Sequence, residues 1–374
     1  MERRQGSMEG VGLTSGSPNP LFWRGRRVLI TGHTGFKGGW LAHWLKRAGA
    51  DVFGYAMAPP SQPSLFAAAA IAHGLQDRHG DIRDLQSLQA AFAEIGPEIV
   101  FHMAAQPLVR LSYENPVDTF STNVMGTLHV LEASKRAGVK SLVNVTTDKC
   151  YENREWVWPY REDDPLGGHD PYSASKACAE LLTRSYRLSF LDDINAMRVA
   201  TARAGNVLGG GDWGADRLVP DMMRAFADGQ PVVIRNPAAT RPWQHVLDAL
   251  SGYVMLAEAL CGRDGTRFCE AWNFGPDRQN EQTVTVLADT VRKLWGPGAE
   301  TRVDSRNSGP HEARYLKLDN SKARAHLGWR PRWNFDEVLV QTVRWYRLFY
   351  EQGNRDPGQI AALMDQQIEA YMAA

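Results

Sequence analysis

The stretch RRVLITGHTGFKGGW, residues 26–40, decides the fold that we expect for this chain. A short β-branched run ends at Gly32, and apolar residues at helical spacing begin after Gly38. Gly32, Gly35 and Gly38 form the pattern GxxGxxG at this strand–helix junction. The first glycine allows a tight turn, the second lets the backbone approach a pyrophosphate, and the third lets the helix pack closely on the strand. Because a helix N-terminus attracts anions, the loop predicts dinucleotide binding.

Strands and helices alternate after this loop, with short joints between them. The predicted strands are apolar throughout, so both of their faces should be buried, as in a parallel sheet covered by helices on each side. The segments are strand DVFGYA (51–56), helix DLQSLQAAFAEI (84–95), strand EIVFHMAA (98–105), helix TFSTNVMGTLHVLEASKRAG (119–138) and strand VKSLVNVTT (139–147). They predict an α/β fold with a Rossmann-type doubly wound parallel sheet, in which ligands bind at the carboxyl ends of the strands.

Composition narrows the class of protein further. A chain of 374 residues exceeds what one hydrophobic core usually serves, so we expect one large or two unequal domains. Lys+Arg and Asp+Glu both total 42, so no overall charge favours nucleic acid or a membrane. The four cysteines form no CxxC pair and have no histidine at metal-ligand spacing, which predicts reduced thiols, no metal and a cytoplasmic location. No segment approaches the ~20 apolar residues of a membrane span.

The adenosine end of the predicted cofactor site lacks one common element. An acidic residue about 20 positions after the glycine loop usually holds the ribose. Here the second strand ends in GYAMAPP, without a carboxylate, and Lys37 is the nearest cation, so this feature leaves NAD and NADP both open. Asp81, in GDIRD, either hydrogen-bonds the adenine amino group or caps the helix that starts near Leu85.

Two polar motifs follow the last strand of the first half. TTDKCY, residues 146–151, ends a buried strand with four polar side chains, which either terminate the strand or face a ligand at its carboxyl end. Tyr172 and Lys176, in HDPYSASKACAELL, lie four apart and therefore on one helix face. An ammonium beside a phenol lowers the phenol pKa toward neutrality. Such a tyrosine can take a proton from a sugar hydroxyl as hydride leaves the same carbon.

Together these motifs resemble the extended short-chain dehydrogenase/reductase family. TGxxGxxG, Asn123 in STNVMGT, Thr147 at a strand end and YxxxK occur in the order of that family. Across residues 23–345 the chain is similar to the NAD-dependent nucleotide-sugar 4,6-dehydratases. Members of that family that act on dTDP- or GDP-sugars usually have Asp-Glu after the threonine. Asp148-Lys149 resembles instead the Asp-Lys form of the branch that acts on CDP-glucose. The blocks that carry the resemblance are GHTGFKGGW, HMAAQPLVRLSYENP, TTDKCYENREWVW, RAGNVLGGGDW, RPWQHVLDALSGY, WNFGP and HEARYLKLD.

The resemblance implies a domain plan, ligands and binding residues. After a disordered leader at 1–20, an NAD-binding Rossmann domain would span 21–205. A smaller domain at 206–374 would mainly bind the nucleotide sugar, with some segments returning to the Rossmann sheet. The implied cofactor is NAD, the implied substrate is CDP-glucose, and long helices of the first half would build a homodimer or a dimer of dimers. The implied cofactor-binding residues are Gly32, Thr34, Gly35, Phe36, Lys37, Gly38, Asp81, Ile82, Ala104, Ala105, Asn123, Tyr172 and Lys176.

For the substrate, the resemblance implies binding by Asn206, Arg217, Arg235, Arg241 and His311. A diphosphate requires local cations, and Arg241, in TRPWQHV, is the first candidate for it. Taken singly, each arginine is more often an ordinary surface residue.

Catalytic roles are also implied by the resemblance. Tyr172 would take the proton of the C4 hydroxyl, while Thr147 would hydrogen-bond the C4 oxygen or merely satisfy a backbone group. Lys149 would remove the C5 proton, directly or through a water, and Asp148 would protonate the leaving C6 hydroxyl. Because adjacent strand residues point to opposite faces, the chain must turn just after Thr147 for both to reach one sugar. Lys176 would also reach the nicotinamide ribose.

Asn123 would hold a backbone kink or a water near the site.

Two rival functions remain open at this point. A nucleotide-sugar 4-epimerase needs Tyr172 and Thr147 but not Asp148. A non-catalytic dinucleotide sensor does not need the Tyr172 and Lys176 pair.

Overall fold

The computed structural model describes residues 16–191, 196–303, 315–351 and 356–374. His311 lies outside the described residues, as do residues 1–15 of the predicted leader. The end of that leader is ordered, because the backbone N–H of Asn19 donates to Glu258 Oε1 at 2.9 Å and Trp23 Nε1 donates to the same atom at 2.7 Å. The expectation of disorder is therefore wrong for residues 16–20.

The helices and strands of the described chain follow the predicted alternation through its first half. The strands are β1 Arg27–Thr31, β2 Asp51–Ala56, β3 Gln76–His79, β4 Ile99–His102, β5 Ser141–Val145, β6 Arg198–Arg203, β7 Val207–Leu208, β8 Val232–Ile234, β9 Thr240–Pro242, β10 Gln244–His245, β11 Ala271–Asn273, β12 Glu281–Thr283 and β13 Thr301–Val303. The α-helices are α1 Pro20–Trp23, α2 Phe36–Arg47, α3 Leu65–Ala68, α4 Leu85–Ile95, α5 Val109–Glu114, α6 Pro116–Phe120, α7 Gly126–Arg136, α8 Pro171–Phe190, α9 Leu218–Ala227, α10 Val246–Cys261, α11 Val284–Trp295, α12 Ser321–Leu327, α13 Phe335–Glu351 and α14 Pro357–Ala373.

Seven strands form one parallel sheet in the order β11-β6-β5-β4-β1-β2-β3. The chain enters at β1, runs to one edge through β2 and β3, and returns to place β4 on the other side of β1. This reversal leaves a crevice at the carboxyl ends of β1 and β4, where ligands bind in such sheets. The predicted Rossmann-type doubly wound parallel sheet is confirmed.

Successive residues of the central strands supply the cores on the two faces of the sheet. Val28 and Ile30 of β1 pack into one core with α2 and α10, whereas Leu29 packs into the other with α4 and α7. Because both faces are covered, the strand residues are apolar without alternation, as the sequence pattern requires.

The second half of the chain adds small sheets to this frame. Strand pairs β7 with β10, β9 with β12, and β8 with β13 lie outside the main sheet, while β11 joins its edge beside β6. None of the described helices is long and apolar enough to cross a membrane.

The helix predicted over residues 119–138 is interrupted. A π-helical turn at Ser121–Met125 separates α6 from α7. Such turns are rare and are often found at functional sites. Asn123 lies inside this turn and is buried.

Candidate active site

The glycine loop joins β1 to α2 and leaves room for a phosphate group. Gly32 has a φ of +79°, and a Cβ there would lie 2.7 Å from the backbone nitrogen of Ala104. A Cβ on Gly38 would lie 2.2 Å from the carbonyl oxygen of Gly32. Gly35 precedes α2 without a side-chain cap among the described residues, which leaves the first N–H groups of the helix for a ligand. This cradle fits the pyrophosphate of a dinucleotide.

The predicted cofactor residues near the loop lie along the crevice. Thr34 Oγ1 donates to the carbonyl oxygen of Met57 at 3.0 Å, which fixes the loop to the end of β2. Ala104 and Ala105 follow β4, and the backbone N–H of Ala104 donates to Thr31 Oγ1 at 3.2 Å. Ile82 is buried, and its side chain packs where a Cβ on Gly126 of α7 would stand.

Asp81 does not cap the following helix. Its Oδ1 accepts from the backbone N–H of Arg83 at 2.8 Å, and the Arg83 guanidinium contacts both carboxylate oxygens. Hydrogen bonds from Arg83 hold the pKa of Asp81 below its ordinary value. The capping residue of α4 is Asp84, whose side chain accepts from Ser87 N–H. The alternative role of Asp81 as a helix cap is therefore wrong, and the adenine role stays a prediction.

Asn123 ties three segments together at the crevice. Its Oδ1 accepts from the backbone N–H of Gln106 at 2.8 Å. Its Nδ2 donates to the Gln106 carbonyl at 3.1 Å and to Ser175 Oγ at 2.9 Å. The side chain thereby links the loop after β4 to α8, within one turn of Tyr172.

The chain turns directly after Thr147, as the predicted roles of Asp148 and Lys149 require. Thr147 has extended backbone angles, and Asp148–Cys150 form a single 3₁₀ turn directly after it. Thr147 Oγ1 donates to Asp148 Oδ1 at 3.0 Å and accepts from the Lys149 backbone N–H at 3.3 Å. This turn places Asp148 and Lys149 at the same end of the sheet.

Asp148 is almost completely buried, with 2% of its surface exposed. Its Oδ2 has no hydrogen-bond partner among the described residues. A Cβ on Gly205 would lie 2.5 Å from this oxygen, so the glycine of RAGNV leaves space for the carboxylate. Lys149 is half-buried. A buried carboxylate oxygen without a partner usually marks a position that a ligand or water completes.

Tyr172 and Lys176 share the buried face of α8. Asp170 caps this helix by accepting from Ser173 N–H at 2.9 Å, and Pro171 occupies its first turn. The Lys176 ammonium donates to the carbonyl oxygen of Val145, the last residue of β5, at 3.2 Å. Tyr172 therefore stands beside the end of β5, within hydrogen-bonding reach of Thr147.

Burial dominates the ionisation of both groups. It raises the pKa of Tyr172 to about 12, although the hydrogen bond with Thr147 opposes the shift. It lowers the pKa of Lys176 to about 8, against the attraction of Glu180. The expectation that Lys176 brings the Tyr172 pKa toward neutrality is wrong for the protein without ligands. The phenolate would lose its hydration, and the ammonium bonds to Val145 instead.

Lys37 lies on the catalytic side of the loop. Burial lowers its pKa to about 8, helped by Arg217 and Lys176 and opposed by Asp148 and Asp212. These neighbours place the ammonium close to the end of β5 and to the loop before α9.

The predicted substrate residues come from the second half of the chain. Arg217 Nη1 donates to Asp212 Oδ2 at 2.7 Å. The positive charge of Arg217 acts to lower the pKa of both Tyr172 and Lys37. Arg235 Nη2 donates to Asp216 Oδ1 at 3.2 Å.

Two further predicted substrate residues lie on strands or strand ends. Arg241 is in β9, where its Nη1 donates to the Thr240 carbonyl at 3.1 Å. Asn206 is half-buried between β6 and β7, and its carbonyl accepts from Gln244 N–H at 3.3 Å. Of these predicted substrate residues, Arg217 is the one whose charge lowers the pKa of Tyr172, against the larger effect of burial.

Three residues near this site escaped the sequence analysis. Arg110 lies in the block QPLVRLSYENP, after β4. The signal available in the sequence was a cation that follows the carboxyl end of a predicted strand. Glu180 and Arg203 form a buried ion pair beneath the motif, with an Nη2–Oε2 distance of 2.8 Å. Nothing in the local pattern of either residue indicates that pairing.

The fold and the site define a short-chain dehydrogenase/reductase of the extended type. The chain belongs to the family described as GDP-mannose 4,6 dehydratase, whose family model matches residues 29–342. Over 331 residues it is 54% identical to the CDP-glucose 4,6-dehydratase of Salmonella typhimurium, covering 87% of this chain and 92% of the relative. The dTDP-glucose 4,6-dehydratase of Streptomyces antibioticus is 33% identical, over 72% of this chain and 75% of the relative. These comparisons confirm the predicted enzyme class, a nucleotide-sugar 4,6-dehydratase.

A solved structure of the same class carries the predicted cofactor. The dTDP-glucose 4,6-dehydratase DesIV from Streptomyces venezuelae was crystallised with NAD and TYD bound. It superposes with a TM-score of 0.72 at 28% identity, covering 86% of this chain and 97% of that one. NAD thus agrees with both the glycine cradle and the solved relative.

Proposed function

We propose that this protein is an NAD-dependent CDP-glucose 4,6-dehydratase, a hydro-lyase that converts CDP-D-glucose to CDP-4-keto-6-deoxy-D-glucose and water. The observation that carries the proposal is the turn at Asp148–Cys150, which follows directly on Thr147 and brings the Asp148 carboxylate close enough to Tyr172 to affect its pKa. The 54% identical relative that acts on CDP-glucose supports the choice of nucleotide.

Tyr172 and Thr147 act first, at C4 of the sugar. When bound, NAD supplies the hydride acceptor and later the hydride donor. Tyr172 accepts the proton of the C4 hydroxyl, while Thr147 hydrogen-bonds the same oxygen. Lys176 faces the nicotinamide ribose, one helical turn from Tyr172. The product of this step is a 4-keto sugar.

Asp148 and Lys149 act next, at C5 and C6. The new carbonyl acidifies the C5 proton, which the Lys149 side chain removes. Protonated Asp148 gives its proton to the C6 hydroxyl, which leaves as water and forms the C5–C6 double bond. Lys149 returns its proton to C5 as hydride arrives at C6, so the cofactor is regenerated.

The cofactor and the nucleotide sugar occupy opposite arms of the crevice in this proposal. The residues that hold NAD are those of the glycine loop, the β3 and β4 ends, the π turn and α8: Gly32, Thr34, Gly35, Phe36, Lys37, Gly38, Asp81, Ile82, Ala104, Ala105, Asn123, Tyr172 and Lys176. The residues that hold the CDP moiety are Asn206, Arg217, Arg235, Arg241 and His311. We also place the enzyme in the cytoplasm, because all four cysteines are free thiols.

The test is mass spectrometry of CDP-glucose incubated with the protein and NAD⁺ in heavy water. We expect loss of one water from the sugar, one deuterium at C5 and no accumulation of NADH. Conversion to the C4 epimer without loss of water would make the protein an epimerase. Dehydration of a UDP-, GDP- or dTDP-sugar alone would preserve the chemistry and contradict the choice of CDP.

Replacement of Asp148 by asparagine separates the dehydratase from its rivals. An amide cannot protonate the leaving hydroxyl, so we expect dehydration to slow by about 10²-fold. The first oxidation needs only Tyr172 and Thr147, so bound NADH should appear at 340 nm and persist. An epimerase would keep most of its turnover in this variant. The matched control is Asp356→Asn, which alters the cap of α14 and should leave the rate of dehydration within a few fold.

We further propose that the protein is a homodimer. Large apolar side chains are exposed along α6, the π turn and α8, namely Val117, Phe120, Met125, Leu181, Leu188 and Phe190. Leu181 and Leu188 lie seven residues apart on one face of α8 and are 52% and 68% exposed. A second copy of this helix pair would cover the apolar face.

Charging this face is expected to separate the subunits. Burial of a leucine contributes about 1.5–3 kcal/mol, so Leu181→Glu with Leu188→Glu should raise the dissociation constant of the dimer by about 10²-fold or more. Light scattering after size exclusion, over a range of concentrations, measures it. Val303→Glu, at an exposed valine of β13, is the control. An unchanged dimer in the double variant would move the interface elsewhere.

A further inference from the structure

A tyrosine from the second half of the chain packs against the strand ends that carry the reacting groups. Tyr253 belongs to α10, which contacts β5 and β6. Its side chain lies in the same core as Val145 of β5 and Ala204, which follows β6. Asp148 continues the pairing of these two strands, because its backbone N–H donates to the Ala204 carbonyl at 3.2 Å. The helix that carries Tyr253 therefore supports the segment that carries the proposed acid.

The hydroxyl of Tyr253 is buried and has no hydrogen-bond partner among the described residues. The ring of Phe274 packs against it edge to face, with the two ring centroids 5.7 Å apart, and offers no acceptor. Burial raises the pKa of Tyr253 above its ordinary value, and negative charge on Tyr172 or on Asp148 raises it further. The hydroxyl therefore lies within electrostatic reach of both residues. A phenylalanine would fill the same space without burying an unsatisfied donor, so packing alone does not explain the hydroxyl.

Asp148 offers the matching acceptor. Its Oδ1 accepts from Thr147, whereas its Oδ2 is buried without a partner among the residues that the structure describes. Gly205 leaves space beside this oxygen, since a Cβ there would lie 2.5 Å from it. Tyr172, the other neighbour of the Tyr253 hydroxyl, already has a hydrogen bond with Thr147. A small rotation or one bridging water would join the unsatisfied donor of Tyr253 to the unsatisfied acceptor of Asp148.

We propose that Tyr253 is a positioning residue for the acid step, in which its hydroxyl donates a hydrogen bond to Asp148 Oδ2, directly or through one water. This inference rests on the proposed function for the role of Asp148. In that step the O–H bond of the Asp148 carboxyl group breaks, and the proton joins the C6 oxygen, which leaves as water with the electron pair of the C6–O bond. The proton of Tyr253 stays on its own oxygen throughout.

The timing of this hydrogen bond gives it an effect on rate. A neutral carboxyl group is a weak acceptor, whereas a carboxylate is a strong one, so the bond from Tyr253 strengthens as Asp148 loses its proton. An interaction that is stronger in the transition state than in the bound substrate accelerates the step. The oxidation at C4 places no charge on Asp148, so Tyr253 should act on the elimination and not on the oxidation.

Single-turnover absorbance at 340 nm, with CDP-glucose and NAD⁺, tests this on the whole chain. Tyr253→Phe keeps the ring and removes the hydroxyl. We expect NADH to appear at the wild-type rate, because the oxidation uses Tyr172 and Thr147. The later decay of NADH should be about tenfold slower, since a hydrogen bond to a charged group is lost. The value of kcat should fall with it, while the dissociation constant for CDP stays unchanged.

Two further measurements separate this role from a structural one. Removing a buried hydroxyl that has no partner should leave the melting temperature of Tyr253→Phe unchanged or raise it. In the Asp148→Asn background, Tyr253→Phe should slow the decay of NADH no further, because the amide gains no negative charge. Tyr186→Phe is the matched control, since that buried tyrosine of the other core donates to the Glu132 carboxylate at 2.8 Å and should leave both phases unchanged.

Decay of NADH at the wild-type rate in Tyr253→Phe would overturn the inference and leave the proposed function standing. Slower appearance of NADH would mean that the hydroxyl acts on Tyr172, which also overturns it. An equal slowing with and without the Asp148 carboxylate, or a lower melting temperature, would make the role of the hydroxyl structural. If Asp148→Asn itself dehydrates CDP-glucose at the normal rate, the proposed role of Asp148 fails and the inference fails with it.

Discussion

Replacement of Tyr172 by phenylalanine is expected to lower kcat by about 10²–10⁴-fold, because a positioned proton-transfer group is lost. The phenol stands within hydrogen-bonding reach of Thr147, and the Lys176 ammonium lies one helical turn further on, at the end of β5. Without the hydroxyl, no other described group at this position can take the C4 proton. The oxidation should then fail before any step at C5 or C6. Stopped-flow absorbance at 340 nm reports that step directly, since NADH should not form.

Two observations distinguish this loss from a folding defect. Tyr186→Phe removes the hydroxyl of a second buried tyrosine on α8, one that donates to Glu132 at 2.8 Å, and should keep normal turnover. The Tyr172→Phe protein should keep its affinity for CDP, because the diphosphate contacts come from arginines. Rapid formation of NADH by Tyr172→Phe would transfer the role of base to another residue.

The central strands β1, β2, β4 and β5 of the parallel sheet were predictable because their signals are local, whereas β3, β6 and β11 were not predicted. Apolar strands, short joints and the glycine loop all lie within about 120 residues, and each segment has one compatible structure. Periodicity did not predict the π turn at Ser121–Met125, although the resemblance implied a backbone kink at Asn123. This wide turn is stabilised by bonds from Asn123 to Gln106 and Ser175, which are distant in sequence. Contacts of that range are invisible to a periodic pattern.

In the candidate site too, the features that depend on local sequence were predictable and those that depend on tertiary contacts were not. The motifs with Asp148 and Tyr172 could be located because their spacing and order are read along the chain. The pKa of Tyr172 could not, since burial by the folded chain outweighs the helical neighbour that the sequence offers. The contact of Arg110 with Asp216 was not predictable, because the two residues are more than a hundred positions apart in the sequence. Local motifs identify the reacting groups, whereas tertiary packing determines their ionisation and their partners.

Glu180 and Arg203 provide the largest expected effect on stability. The pair is 3% and 2% exposed, and Thr146 and Thr201 also donate to the Glu180 carboxylate. Arg203 Nη1 donates to Tyr151 Oη at 2.6 Å, so the pair anchors the segment that carries Asp148 and Lys149. Removal of one partner leaves a buried charge without compensation. We expect Glu180→Gln to lower the free energy of unfolding by about 3–5 kcal/mol.

Urea titration followed by tryptophan fluorescence measures this loss. Glu94→Gln is the control, because Glu94 pairs with Arg78 at the surface, where an ion pair contributes about 0–1 kcal/mol. Replacing both charges, by Glu180→Leu with Arg203→Met, should cost less than the sum of the two single changes, since neither charge is then left alone. Additive losses in that cycle would mean that the two residues stabilise the fold independently.

The pH dependence of the free energy of unfolding gives a second test of the Glu180–Arg203 pair. Burial alone would raise the pKa of Glu180, but the charge and hydrogen bonds of Arg203, with the two threonine hydroxyls, hold it below the ordinary 4.5. The ionised group therefore stabilises the fold above that pH, and the contribution is lost as the pH falls below it. The wild-type protein should lose stability as the pH falls below 4.5. Glu180→Gln has no proton to bind there, so its stability should fall less steeply over the same range. Parallel curves for the two proteins would show that Glu180 does not titrate with a depressed pKa, and that its pairing with Arg203 is weaker than the geometry indicates.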